Sequence, residues 1–153
     1  MPNFKTHNIT GIITGSIITT SLIITKDTIH SLSFISMISS GIFCYLMSLF
    51  PDMDIKSKSS KLLYSLGLLV SIYLWYIGEF KVLSIFLILL VIPQILSHRG
   101  FLHSFLAALL IPFSIFILFL QNKINLETTL ISYFAGFIGY SLHLFLDAKW
   151  IKK

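Results

Sequence analysis

Two imidazoles, a guanidinium and a hydroxyl are gathered in the short stretch Ser97-His98-Arg99-Gly100-Phe101-Leu102-His103-Ser104, between two long apolar runs. Three other stretches carry groups that could act with it. Asp52-Met53-Asp54 follows Pro51, whose ring disfavours helical geometry in the residue before it. The two carboxylates therefore sit on an extended or turning backbone and point different ways unless a cation gathers them. His143 and Asp147 are four residues apart, which puts both side chains on one face of a helix and suits two ligands of one metal, or a ligand and its orienting carboxylate. His7 stands at the mouth of the first apolar run, and His98 and His103 can be drawn together if Gly100 supplies a tight turn. Mixed imidazole and carboxylate donors suit Zn, with Mn and Fe also accommodated, and argue against a soft thiolate site. The single Cys44 lies inside an apolar run and reads as a packing residue.

These groups are held by a very apolar chain. Of its 153 residues 56% are hydrophobic and 11% charged, against about 25% charged in a soluble domain, and the mean hydropathy is +0.90. The expectation is an all-α, polytopic membrane bundle forming a single domain over residues 1–153. The first span is read from Ile9 to Thr25, without a small-residue cleavage site, and the second from Ser31 to Phe50. Leu62 to Leu96 is an apolar run of 35 residues, too long for one crossing of about 20. Gly78-Glu79-Phe80-Lys81 divides it into spans of about Leu62 to Ile77 and Val82 to Leu96. A fifth runs from about Leu102 to Leu120 and a sixth from Thr128 to Leu146, with Pro93 and Pro112 inside spans four and five, where membrane helices tolerate them.

Six crossings return both termini to one side. That side would hold Lys5, Lys56, Lys58, Lys61, Arg99, Lys149, Lys152 and Lys153; the other would hold Lys26, Lys81 and Lys123. Eight basic residues against three is a positive-inside bias, so the terminal side is expected to be cytoplasmic. The net charge of +5 is thereby explained by topology and anionic lipids, and no nucleic-acid partner is expected. The same parity places His7, Asp52, Asp54, His98, His103, His143 and Asp147 together on the cytoplasmic side, leaving His30 outside the set.

Pro51-Asp52-x-Asp54, His98-Arg99-Gly100-x-x-His103-Ser104 and Gly139-Tyr140-x-x-His143-Leu144-x-x-Asp147, preceded by the histidine at the start of span one, resemble the YdjM-type family of inner-membrane, metal-dependent hydrolases. The resemblance runs through the whole chain in order. That family is in turn similar, distantly, to zinc-dependent phospholipase C and the single-strand-specific zinc nucleases, which implies phosphoester hydrolysis. This chain has Leu102 where the family commonly has Thr, and Lys58, between Ser57 and Ser59, near a position where the family commonly has Ser.

The seven His/Asp candidates exceed the three protein ligands of one catalytic zinc, so either two divalent ions share them or some act from outside the coordination sphere. Besides their place among the ligands, His103 and Asp54, with Arg99, form the expected catalytic set, Arg99 holding an anionic head group. The expected partners are the bilayer and an amphiphilic or phosphorylated small molecule reached from the cytoplasmic leaflet. Three other readings stay open. A non-catalytic membrane adaptor would use the polar end to bind a partner, with any metal structural. An ion or proton transporter calls for ionisable groups near mid-span, and the six spans show none at their centres. A triad of Ser104, His103 and Asp147 lacks a nucleophile elbow and leaves His98, Asp52 and Asp54 idle. The oligomeric state is not legible in the sequence. Elemental analysis of the detergent-purified protein is expected to show about one to two equivalents of Zn, Mn or Fe, lost in His98→Ala and in Asp147→Ala; no bound metal after reconstitution with each ion would remove the hydrolase reading.

Overall fold

The computed structural model describes residues 4–25, 32–54, 57–95 and 100–151. Their regular structure is helical throughout: α1 (Phe4–Ile24), α2 (Phe34–Leu49), α3 (Lys58–Tyr76), α4 (Phe80–Ile95), α5 (Phe105–Gln121) and α6 (Leu126–Ile151), with 3-10 turns at Phe50–Asp54 and Phe101–His103. Serines start three of these helices by accepting a backbone N–H in the first turn: Ser33 from Ser36, Ser57 from Ser60, and Ser104 from Ala107. Ser57 and Ser60 bond reciprocally, which completes a capping box. The helix therefore begins at Lys58, four residues before the apolar run, and takes in part of a segment that reads as polar loop. Gly78, at φ +80°, makes the expected break between α3 and α4. Gly100 has φ −83°, so the turn before α5 does not use the left-handed region that would favour a glycine.

The bundle is organised about α2, which packs against α1 on one side and α6 on the other; α5 packs on α6, and α3 on α4 and on the Phe50–Asp54 turn. Apolar contact drives little association between helices already surrounded by hydrocarbon, so close backbone approach through small residues becomes decisive. Gly15 of α1 and Gly41 of α2 face each other with no room for a Cβ on either, and a Cβ on Gly139 of α6 would run into the Cys44 carbonyl of α2. Several hydroxyls along these helices are satisfied inside their own turns: Thr19 donates to the Gly15 carbonyl at 3.0 Å, Ser40 to the Ser36 carbonyl at 2.8 Å and Ser71 to the Gly67 carbonyl at 2.8 Å. Large apolar side chains face outward, including Ile17, Leu69, Ile88 and Phe134.

Three stretches, Lys5–Ile24, Phe34–Met53 and Leu126–Ala148, are long and apolar enough to cross a membrane. α4 and α5, with 16 and 17 residues, are shorter. At a rise of 1.5 Å per residue they reach only about 25 Å, below the ~30 Å hydrocarbon core, so a crossing by either calls for local thinning of the bilayer. Pro93 and Pro112 lie inside α4 and α5 and are buried. Trp75 and Tyr76 are exposed at the end of α3, as an interfacial belt requires.

Gly139→Ala is expected to lower stability by about 1–3 kcal/mol, because the collision is with backbone and not with a flexible side chain. Gly78→Ala meets open space and only its positive φ to oppose it, and should cost about 1 kcal/mol. Thermal unfolding in detergent, with the larger loss at Gly139, checks the α2–α6 contact.

Candidate metal centre

Five of the seven candidate ligands meet at one end of the bundle, delivered by four segments of the chain. α1 starts at Phe4, which puts His7 in its first turn, at the mouth of the span, where it is buried and faces Asp147 of α6. Asp52 sits in the Phe50–Asp54 turn that ends α2: Pro51 leaves the backbone turning, as a 3-10 helix. His103 ends the Phe101–His103 turn ahead of α5. His143 and Asp147 lie one turn apart on α6 and face each other as their spacing predicts, with His143 Nε2 3.5 Å from Asp147 Oδ2. Asp54 belongs to the same turn as Asp52, but its side chain lies outside the described residues, as do His98 and Arg99.

Asp147 is the hub. Its Oδ1 lies 3.3 Å from His7 Nε2, and its Oδ2 lies 3.5 Å from both His103 Nε2 and His143 Nε2. Asp52 Oδ1 approaches His143 Nε2 at 3.6 Å. The His7 ring stacks on the His143 ring, centroids 3.9 Å apart and planes 16° from parallel, and the His103 ring meets His143 edge-on at 5.6 Å. His7 and His143 are buried, whereas His103, Asp52 and Asp147 keep 12%, 16% and 22% of their side-chain surface exposed, so the cluster opens on one side.

One hydrogen bond fixes the orientation of the His143 ring. His143 Nδ1 lies 2.8 Å from the Ser48 carbonyl oxygen. A carbonyl can only accept, so Nδ1 carries a proton and Nε2 is the nitrogen left to face the cluster. Nε2 is aimed at two carboxylates and has no hydrogen-bond partner among the described residues. Positive charge among these groups, on the ring or on a bound cation, is what lets them converge. The separations of 3.3–3.6 Å are too long for charge-assisted hydrogen bonds, which run at about 2.7–2.9 Å. They match donor atoms held about 2.1 Å from one tetrahedral ion, whose mutual distance is about 3.4 Å. His7, Asp52 and His143, and likewise His103, His143 and Asp147, offer donor atoms all within 4.8 Å of one another. One divalent ion balances the charge of the two carboxylates. The donor set therefore fits a divalent metal. The two triads share His143, whose single free lone pair serves one ion only.

Two partners in this arrangement have no role assignable from the sequence. The Ser48 carbonyl is available because α2 stops at Leu49, leaving its last carbonyls without intrahelical partners; Pro51 is the signal that could have pointed to it. Tyr140 is fully buried and donates from its hydroxyl to the Leu102 carbonyl at 2.6 Å, tying α6 to the turn that carries His103. Its place three residues before His143, on the same face, is a signal in the sequence. Ser104, the nucleophile of the triad reading, accepts from Ala107 N at 3.1 Å and donates to the Phe101 carbonyl at 2.6 Å. It is engaged as a helix cap.

A family model described as YdjM inner membrane protein matches residues 1–151. Neither the comparison with curated proteins nor that with solved structures found a match. The family and the apolar helices together place the chain in a membrane.

Tyr140→Phe removes the tether of the His103 turn while keeping the ring, and is expected to lower stability by about 1–3 kcal/mol, the cost of leaving a buried carbonyl without its donor. Thermal unfolding in detergent measures it; unchanged stability would mean that the His103 turn is held without the tether.

Proposed function

The chain belongs to the YdjM inner membrane protein family, and from that premise we propose that it is a membrane-embedded, metal-dependent hydrolase acting on a phosphoester-bearing amphiphile at the cytoplasmic face. The observation that supports this reading is the aim of the buried His143 Nε2, with His7 stacked on its ring, at two carboxylates from different elements. In it, His7, Asp52, His143 and Asp147 hold one divalent ion, Zn before Mn or Fe by their mixed donors. Such an ion, when bound, supplies Lewis acidity and a nucleophile at neutral pH.

The side chains divide the remaining work. Ser48 holds the His143 ring in the tautomer that leaves Nε2 free. Asp147 uses both oxygens, one toward His7 and one toward His103 and His143, and so fixes the rings relative to each other. His103 has the most solvent access of the three clustered histidines. In this reading it leaves the ligand set and is the acid that protonates the leaving oxygen, with Asp147, 3.5 Å from its Nε2, holding the ring beside the ion. Arg99 binds the anionic head group, and Asp54 and His98 serve as further ligands in a second ion's set. The open side of the cluster favours catalysis over a purely structural metal, because structural sites are closed by protein ligands. The eight-to-three distribution of basic residues supports the cytoplasmic placement.

The test is hydrolysis by the metal-loaded protein in nanodiscs, using long-chain alkyl phosphates and phospholipids as substrates. His143→Ala is expected to lose both metal and turnover. His103→Gln should keep the metal and lower kcat by about a hundredfold or more, the usual weight of a positioned acid. A fully metallated protein that hydrolyses neither substrate class would overturn the reading in favour of a membrane adaptor.

A further inference from the structure

The turn that carries Asp52 has a second face. Phe50 and Met53, its neighbours on either side, wall an apolar chamber of about 200 Å³ whose other sides include Leu63 and Val70 of α3, Leu90 of α4 and Ile111 of α5. Every residue around the chamber is apolar or glycine. Water has no partner there, and cavities lined this way stay dry and accept hydrocarbon. From Leu63 to Val70 the chamber follows α3 for two helical turns, about 10 Å, away from the turn and toward the middle of the bundle. Leu66 and Val70, on its rim, are 38% and 42% exposed, so the chamber opens sideways where a bilayer would lie.

The same five-residue turn thus separates two environments: Asp52 approaches His143 Nε2 at 3.6 Å, while Phe50 and Met53 face hydrocarbon-lined space. We infer that the chamber is the hydrocarbon subsite of the substrate, taking one alkyl tail while the anionic head meets the histidine–aspartate cluster. This rests on the hydrolase reading for what happens to the head, and adds which part of the molecule the chain recognises in the membrane. A bulk lipid tail gains little by leaving one hydrocarbon environment for another. What distinguishes the substrate is the simultaneous engagement of a head at the polar face of the turn and a tail at its apolar face. Recognition then depends on both ends together, and a molecule with a tail alone is not retained.

Photolabelling tests this without requiring turnover. The full chain, metal-loaded in phosphatidylcholine nanodiscs, is irradiated with a diazirine-tailed hexadecyl phosphate or with the corresponding head-free diazirine alkane, and the adducts are mapped by mass spectrometry. The phosphate probe should label the segments containing Met53, Leu63 and Ile111 saturably, and at least about tenfold more than the alkane, as joint engagement of head and tail demands. Val70→Trp and Leu66→Trp, which fill the rim, should each reduce that labelling by about tenfold, the penalty of forcing a tail into occupied space, with metal content unchanged as the check on folding. Equal labelling by both probes, adducts confined to outer faces such as Ile72 and Trp75, or undiminished labelling in both variants would overturn the inference. Chamber labelling without hydrolysis of any ester would sink the hydrolase reading and leave the subsite standing; hydrolysis with labelling on outer faces only would do the reverse.

Discussion

His143 Nδ1 donates to the Ser48 carbonyl across the contact between α6 and α2, and the arrangement of the polar end follows from that bond. It requires the helices to approach closely, which Gly139 permits by bringing α6 against the Cys44 carbonyl one turn from Ser48. It also requires a carbonyl free to accept, which the termination of α2 at Leu49 leaves available. With Nδ1 committed, Nε2 has one direction, and both carboxylates of the cluster converge on it. A glycine, a helix end and a ring nitrogen thereby settle where a cation can sit.

The surroundings explain why so few polar groups are free to do chemistry. In hydrocarbon polar groups need internal partners, and Thr19 of α1, Ser40 of α2 and Ser71 of α3 return their protons to carbonyls of their own helices. Polar side chains released from that duty gather at helix ends, where turns interrupt the ladder. Asp52 and His103 come from such turns, and His7 from a first helical turn. Placing ionisable groups at helix ends costs less than burying them at the bilayer centre, where an Asp is worth about 2.5–3.5 kcal/mol on insertion scales.

The Phe50–Asp54 turn links this polar end to the rest of the bundle. It packs against α2, α3, α4 and α6, and the Tyr64 hydroxyl donates to its Met53 carbonyl at 3.2 Å. The α3–α4 hairpin thus leans on the element that carries Asp52, and the apolar chamber lies between that hairpin, the same turn, α2 and α5. Head-group chemistry and hydrocarbon packing are coupled through five residues.

Local information in the sequence reached far into this protein. Hydropathy and the Gly78 break marked off the six helices to within a few residues, because runs of apolar residues bounded by polar turns have one low-energy form in a membrane. The spacing of His143 and Asp147 put them on one face, because helical periodicity alone determines it. The side chains chosen for chemistry included all five that meet. Tertiary structure decided the rest. No spacing could show that His7 stacks on His143, a residue 136 positions away, or which nitrogen of His143 is free, since that is set by a backbone carbonyl of another helix. Nor could hydropathy distinguish apolar residues that face lipid from those that line the chamber, because both satisfy the same preference for hydrocarbon, and only the packing of α2 to α5 encloses a space.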